Sequence, residues 1–204
     1  MAKIKLTKTE LKAQSDALKR FQRFLPMLQL KKQQLQAELA VIAARMSEVS
    51  GREAAARAAL SKWVQLFSDP GVRLEGLVTV DRVVTDTSNI AGVPIPIFTR
   101  IDTTVAEIDL FATPAWLDNA AAMLTAVLSL KAERLVLEKQ HEQITIELTT
   151  TSQRVNLFEK VKIPECRENI RVIKIAIGDA QTASVTRGKI AKGRSHPNAE
   201  EDAA

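Results

Sequence analysis

Seventeen positions spaced alternately three and four residues apart, from Leu11 to Phe67, carry fourteen apolar side chains. They include Leu11, Leu18, Phe21, Leu35, Leu39, Ile42, Met46, Val49, Leu60 and Trp63, and the three polar breaches are Gln14, Lys32 and Glu53. A stripe this narrow and this long is the signature of a coiled-coil seam rather than the wider face of a globular helix. At about 1.5 Å per residue, a helix over residues 8–68 spans roughly 90 Å. A second seam follows: Val127, Leu130, Leu137, Ile144, Leu148, Val155 and Phe158, breached by Arg134, His141 and Thr151. After Phe158 the phase shifts, and the stripe resumes at Ile163, Cys166, Ile170, Ile173 and Ile177. This helix is again roughly 95 Å long.

The helix breakers mark what lies between. Gly and Pro number only 7 and 7, about 7% of the chain where about 12% is usual. Six of them fall within residues 70–113. There Leu74, Leu77, Val78, Val80, Val83 and Val84 form a β-branched stretch, and Val93, Ile95, Ile97 and Ile101 alternate at period two. Thr87–Gly92 between them is turn-like, so the segment reads as a β-hairpin with a longer loop. Pro94 and Pro96 cannot donate to a ladder, which makes their strand an edge. Thr113-Pro114 signals a helix start and Gly178 a stop. The expected fold is mainly α: a long antiparallel two-helix coiled coil with a small central β-hairpin at one end. Its parts are a first helix over 1–69, the hairpin and connectors over 70–113, a second helix over 114–178 and a disordered tail over 179–204. The same seams would also serve pairing between chains; the matched helix lengths favour folding back within one chain.

An antiparallel register follows from the helix ends. Pairing Phe67 with residue 122 places Pro26 level with Pro164, about a quarter of the way from the free ends, where two prolines would bend the pair as a unit.

The chemistry of catalysis is not apparent. There is no G-x-x-x-x-G-K-[ST] phosphate loop, no G-x-G-x-x-G and no H-E-x-x-H. The two histidines, His141 and His196, lie in a seam and in the tail. Cys166, the lone cysteine, sits on the seam as a buried structural thiol, and one cysteine excludes both an internal disulfide and a cysteine-cluster zinc site. Trp63 and Trp116 read as core residues near the hairpin ends of their helices. No cofactor or metal is expected. No apolar run approaches the roughly 18 residues of a membrane span, and the start lacks a secretory core, so the chain reads as soluble and cytoplasmic. The net charge is +5, and residues 1–70 hold 13 basic against 6 acidic residues. Basic surfaces bind nucleic-acid backbones, but Phe21 is in the seam and offers no stacking platform. A solvated face or one meeting an acidic protein is the better reading.

Several stretches resemble one known family. Thr7-Lys8-Thr9-Glu10-Leu11 resembles the K-T-E-L that opens the D subunit of V-type (archaeal/vacuolar type) rotary ATPases. Asn89-Ile90-Ala91-Gly92-Val93 with Pro96 is similar to its N-I-x-G-V-x-x-P segment, and Thr113–Asp118 to its T-P-x-W-[LI]-D. Arg154-Val155-Asn156-Leu157-Phe158-Glu159 with Ile163-Pro164 resembles R-V-N-A-L-E-x-x-x-I-P, and the run from Glu168 through Asn169, Ile170 and Arg171 to Ile173 resembles E-x-T-I-R-x-I. The matches keep family order over residues 7–175. Leu157-Phe158 stands where the family has Ala-Leu, Pro26 falls in a helix usually free of proline, and the tail lacks the family's E-x-x-x-F-x-x-K-K ending.

The resemblance implies a non-catalytic central-stalk component of a V-type rotary ATP synthase/ATPase. Such a rotor shaft couples transmembrane ion flow to ATP synthesis or hydrolysis in the A/B hexamer. Its implied partners are the A and B subunits, the F subunit of the central stalk and the funnel-shaped subunit on the membrane ring. It implies no nucleic acid, no membrane span of its own, and a cytoplasmic position peripheral to the membrane. Leu11, Leu18, Phe21, Pro26, Leu39, Ile42, Trp63, Trp116, Arg154, Val155, Asn156, Pro164, Ile170 and Arg171 are the candidate structural and interaction residues. A coiled-coil scaffold and a nucleic-acid-binding helical hairpin are the rival readings.

Overall fold

The computed structural model describes residues 4–62, 76–106, 114 and 116–195. Trp63, Phe67, Leu74, Thr113, His196 and the acidic end of the tail lie outside these. Helix α1 covers Lys8–Ser61, and strands β1 (Val78–Ile90) and β2 (Val93–Val105) follow. Helix α2 (Leu117–Leu157) passes into a π turn, Phe158–Lys162, and then into helix α3, Ile163–Ser195. The chain divides into two compact units, residues 1–30 with 152–204, and residues 31–151. The fold is mainly α with one small antiparallel hairpin, as the breaker distribution predicts.

The opening turn explains the first quoted motif. The Glu10 N–H donates to Thr7 Oγ1 at 3.3 Å, and the Leu11 N–H donates to the Thr7 carbonyl at 3.0 Å. Thr7 thus caps α1, with Glu10 three residues on in the capping-box position. Every described seam position on α1, from Leu11 to Leu60, is buried or half-buried. Pro26 lies inside the helix with its ring exposed; it deprives the Gln22 carbonyl of a helical donor without ending the helix.

In the terminal unit, Phe21 meets Phe158 with ring centroids 5.0 Å apart, and the Asn169 amide donates to Gln14 Oε1 at 3.4 Å. The partners descend along one helix as they ascend along the other, so the pairing is antiparallel. This register overturns the expectation that the two prolines lie level. Pro26 is five residues beyond Phe21 in one direction, and Pro164 is six beyond Phe158 in the other. That separates them by roughly 16 Å along the axis. The misplaced register has a simple cause: it is counted from Phe67, outside the described residues, and residue 122, whereas α1 runs to Ser61 and α2 starts at Leu117.

The phase shift after Phe158 is the π turn. Continued α-helically, the second seam would run through residues 162, 165 and 169; it runs instead through Ile163, Cys166 and Ile170, one residue later. A π turn takes up one extra residue. Here the Ile163 N–H donates to the Phe158 carbonyl, five residues back. The wide turn sits just before Pro164, whose ring would clash with the Lys160 carbonyl in a regular α-helix. Val155, Ile163, Cys166 and Ile173 are buried as a result.

The helix does not stop at Gly178 but continues to Ser195, across residues 179–195 of the segment expected to be a disordered tail. A glycine in a helix costs only about 0.5–1 kcal/mol against alanine. The Thr182 hydroxyl donates to the Gly178 carbonyl and the Thr186 hydroxyl to that of Thr182, so the turn-favouring side chains bond along the helix.

In residues 31–151, the core is Leu35, Ile42, Ile95 and Ile144, with Leu39, Met46, Ile90, Val93 and Leu148 packed around it. Ile95 belongs to β2. The hairpin therefore lies back along the helices, rather than standing at one end of them as its place in the chain suggests. Its apolar period-two face needs covering, and a two-stranded sheet is marginal alone. The turn is also tighter than expected: β1 runs on to Ile90, leaving only Ala91 and Gly92, at φ 51° and 84°. Two positive-φ residues make the type I′ turn that suits strand twist. The Gly92 N–H donates to Asn89 Oδ1 at 2.8 Å, which gives the N-I-A-G stretch its local logic. From this turn the non-hydrogen-bonded pairs are Asn89–Pro94 and Thr87–Pro96, so both prolines turn their missing donors outward. A second small cluster, Leu77, Leu117 and Ala121 with Val78, Trp116 and Leu124, closes the base of the hairpin.

Candidate interaction surfaces

Two of the seam's polar breaches, Glu53 and Arg134, find each other. Arg134 Nε donates to Glu53 Oε2 at 2.8 Å, Arg57 reaches Glu53 Oε1 at 2.6 Å, and Arg134 also bonds Glu138. Glu53 is 6% exposed. Burial alone would raise its carboxyl, and the two guanidiniums outweigh that, holding it below the usual carboxylate range. Arg52–Glu133 at 3.1 Å and Lys31–Glu147 at 2.6 Å bridge the same two helices.

Helix α2 buries more than the narrow seam predicts. Ala132, Val136 and Gln140 form a second stripe at four-residue spacing. The Gln140 side chain donates to the outward carbonyl of Pro96, so this stripe is where the hairpin rests. The alternation of β2 announced that one face was covered; nothing in it named the cover. Between hairpin and helices lies a cavity of about 460 Å³, bordered by Val41, Arg45, Glu48, Ile97 and Phe98.

In the terminal unit a groove of about 410 Å³ runs between α1 and α3, floored by Leu11 and Ile170. Lys8, Lys12, Lys19 and Lys174 rim it, with Asp16 and Ser15.

The sequence-derived candidates fall into two groups. Phe21, Leu39, Ile42, Val155 and Ile170 face inward with Leu11 and Leu18, and Trp116 packs on the second small cluster. Pro26, Arg154, Asn156, Pro164 and Arg171 are exposed. Arg171 is held by Glu168 through both carboxylate oxygens at 2.9 and 2.6 Å, which lowers the Glu168 carboxyl. Cys166 is buried, and burial pushes its thiol up, with Glu165 adding to the effect. Among the described residues no cluster of His, Cys, Asp and Glu is placed to hold a metal ion, and no helix is long and apolar enough to cross a membrane.

The family model for the D subunit of ATP synthase matches residues 10–193. The chain belongs to the D-subunit family of V-type ATP synthases. The V-type ATP synthase D subunit of Borreliella burgdorferi is 46% identical over 192 residues, covering 94% of this chain and 95% of the relative. The D subunit of Chlamydia trachomatis serovar L2 is 34% identical over 196 residues, 94% and 95% of the two chains. That of Chlamydia pneumoniae is 34% identical over 194 residues, 93% and 91%. As a V-type ATP synthase D subunit, the chain is one component of a larger complex, and the family assignment suggested by the quoted motifs stands. The match extends through α3 to residue 193, beyond the last motif at Ile173.

Proposed function

We propose that this D subunit is the central rotor shaft of its V-type ATP synthase, with no active site of its own. Its paired helix ends would enter the A/B catalytic hexamer, the F subunit would bind its flank, and its other end would dock on the funnel-shaped subunit over the membrane ring. It would then lie on the cytoplasmic side, peripheral to the membrane, and pass rotation between ion flow and nucleotide chemistry. The observation that supports this reading is the placement of the seam: the described periodic apolar residues of the helices are buried or half-buried in both units, and the contacts across the helices run antiparallel. Interlocked helices resist twisting, which torque transmission requires. The sequence contains no phosphate loop with which to hold a nucleotide.

The test is reconstitution. The A/B hexamer assembled with this chain and the F subunit should couple ATP turnover to rotation of a bead fixed to the shaft, while the purified chain hydrolyses no ATP above a mock preparation. Turnover by the chain alone, or coupled rotation in its absence, overturns the reading.

A further inference from the structure

The two units treat their charges differently. Residues 31–151 hold 12 basic and 15 acidic residues; residues 1–30 with 152–204 hold 17 basic and 9 acidic. Of the described basic residues in the first group, Lys31, Arg52, Arg57, Arg100 and Arg134 are ion-paired within the chain, while Lys32, Arg45, Lys62, Arg82, Lys131 and Lys139 are not. Among the described residues of the terminal unit only Lys162 and Arg171 are ion-paired, each by a near neighbour on its own helix. Lys8, Lys12, Lys19 and Lys174, around the groove over Leu11 and Ile170, have no acidic partner within 4 Å among the described residues; Asp16 is the one carboxylate on the rim. Like charges crowded along one groove repel, and an oppositely charged surface relieves that while steering its own approach.

The same unit also exposes large apolar side chains outside the lining of the groove. Met27 is 62% exposed and Phe24 48% on α1, and Ile175 52% and Val185 60% on α3. A phosphate backbone has no use for such side chains; a protein surface covers them. We infer that the lysine-rimmed groove of the terminal unit seats an acidic protein surface, whose carboxylates meet Lys8, Lys12, Lys19 and Lys174. This rests on the shaft reading above, in which the A/B hexamer encloses this unit, and it assigns the enclosing wall its chemistry.

The experiment measures binding of the full chain to the A/B hexamer at ionic strengths from about 0.05 to 1 M, over which the screening length falls from above 10 Å to about 3 Å. It is repeated with Lys8, Lys12, Lys19 and Lys174 all changed to Gln, and with all four changed to Glu. Circular dichroism checks that the helices persist, and the Gln set keeps the question open to an answer if the Glu set fails to fold. A duplex DNA is run in parallel. The expected result is a fall in association rate of about 10-fold or more for the charge-reversed chain at low salt, a smaller fall for the Gln set, and convergence of all three at 1 M. Wild-type binding that ignores both salt and substitution overturns the acidic wall and leaves the shaft reading intact. Failure of the wild-type chain to bind the hexamer at any salt overturns the shaft reading, and the inference with it. Duplex DNA bound through these lysines as tightly as the hexamer overturns the inference in favour of a nucleic-acid surface.

Discussion

Glu53 and Arg134 each interrupt the apolar stripe of their own helix, and each supplies the other's counter-charge. A buried carboxylate held by a half-buried guanidinium is a poor source of net stability but a strong one of register, because a slipped pairing leaves the Glu53 charge inside the seam without a partner. The sign of its pH dependence follows from the lowered Glu53 carboxyl. Its stabilising contribution is present above the ordinary value of 4.5 and is lost as pH falls through the lowered folded value. We expect the thermal midpoint of the wild-type chain to drop as pH falls below about 4.5. In Glu53→Gln the midpoint should be lower at neutral pH and flatter over the acid range. Parallel acid profiles for the two proteins would contradict this. The seam's apolar members behave more simply. Ile42→Ala should cost about 2–5 kcal/mol, as truncations in a packed core do. Gln36→Ala, on the exposed face, should cost under about 0.5 kcal/mol. Urea unfolding of both variants decides whether the stripe is the core.

At the scale of elements, the π turn shows how much a sequence can reveal when a pattern breaks. The slip from Phe158 to Ile163 is one residue too long for an α-helix, and the structure accommodates it in one wide turn. Moving that turn toward the N-terminus would bring Ser152, Asn156 and Glu159 into the seam; moving it the other way would bring Lys162, Glu165 and Asn169. The apolar pattern therefore pins it. In a Pro164→Ala background, where no proline ring opposes a regular turn, deleting Lys160 should convert the turn to ordinary α-helix with every seam residue still in place, and the thermal midpoint should change by no more than a few degrees from that of Pro164→Ala alone. Deleting Thr149, nine residues before the turn, should throw the seam out of phase and lower the midpoint far more. Equal effects in differential calorimetry would show that the turn is not the source of the slip. Other features lay beyond the pattern. Periodicity marks which face of β2 is covered but not that Ala132, Val136 and Gln140 cover it. Gly178 reads as a stop because glycine favours helix ends, whereas its cost inside a helix is small enough to be absorbed. The seam, the hairpin and the quoted motifs were legible because each rests on local spacing. The proline register was not, because it hangs on where helices end, the least local of the quantities involved.

For the molecule as a whole, the sequence separation of partners is smaller in the unit that holds the hairpin than in the terminal unit. The two residues of the Arg52–Glu133 bridge are 81 apart in sequence, those of Lys31–Glu147 are 116 apart, and those of Asn169–Gln14 are 155 apart. The two-residue turn at Ala91-Gly92 closes the smallest loop of all. Each contact made shortens the free chain that the next must gather, so the helices are set to join like a zip, starting beside the hairpin. Loop closure costs little more for each doubling of length, but it must precede the contacts that offset it. Opening runs in the reverse order. Native-state amide exchange should therefore find the seam around Leu11 and Ile173 yielding at lower free energy than that around Leu35 and Ile144. Protection that is uniform along both helices would instead mean that the pair opens in one step. The hairpin, a minor part of the chain by length, is thus its birthplace: a chain stalled or cut before residue 93 would possess one complete long helix and nothing to fold it against.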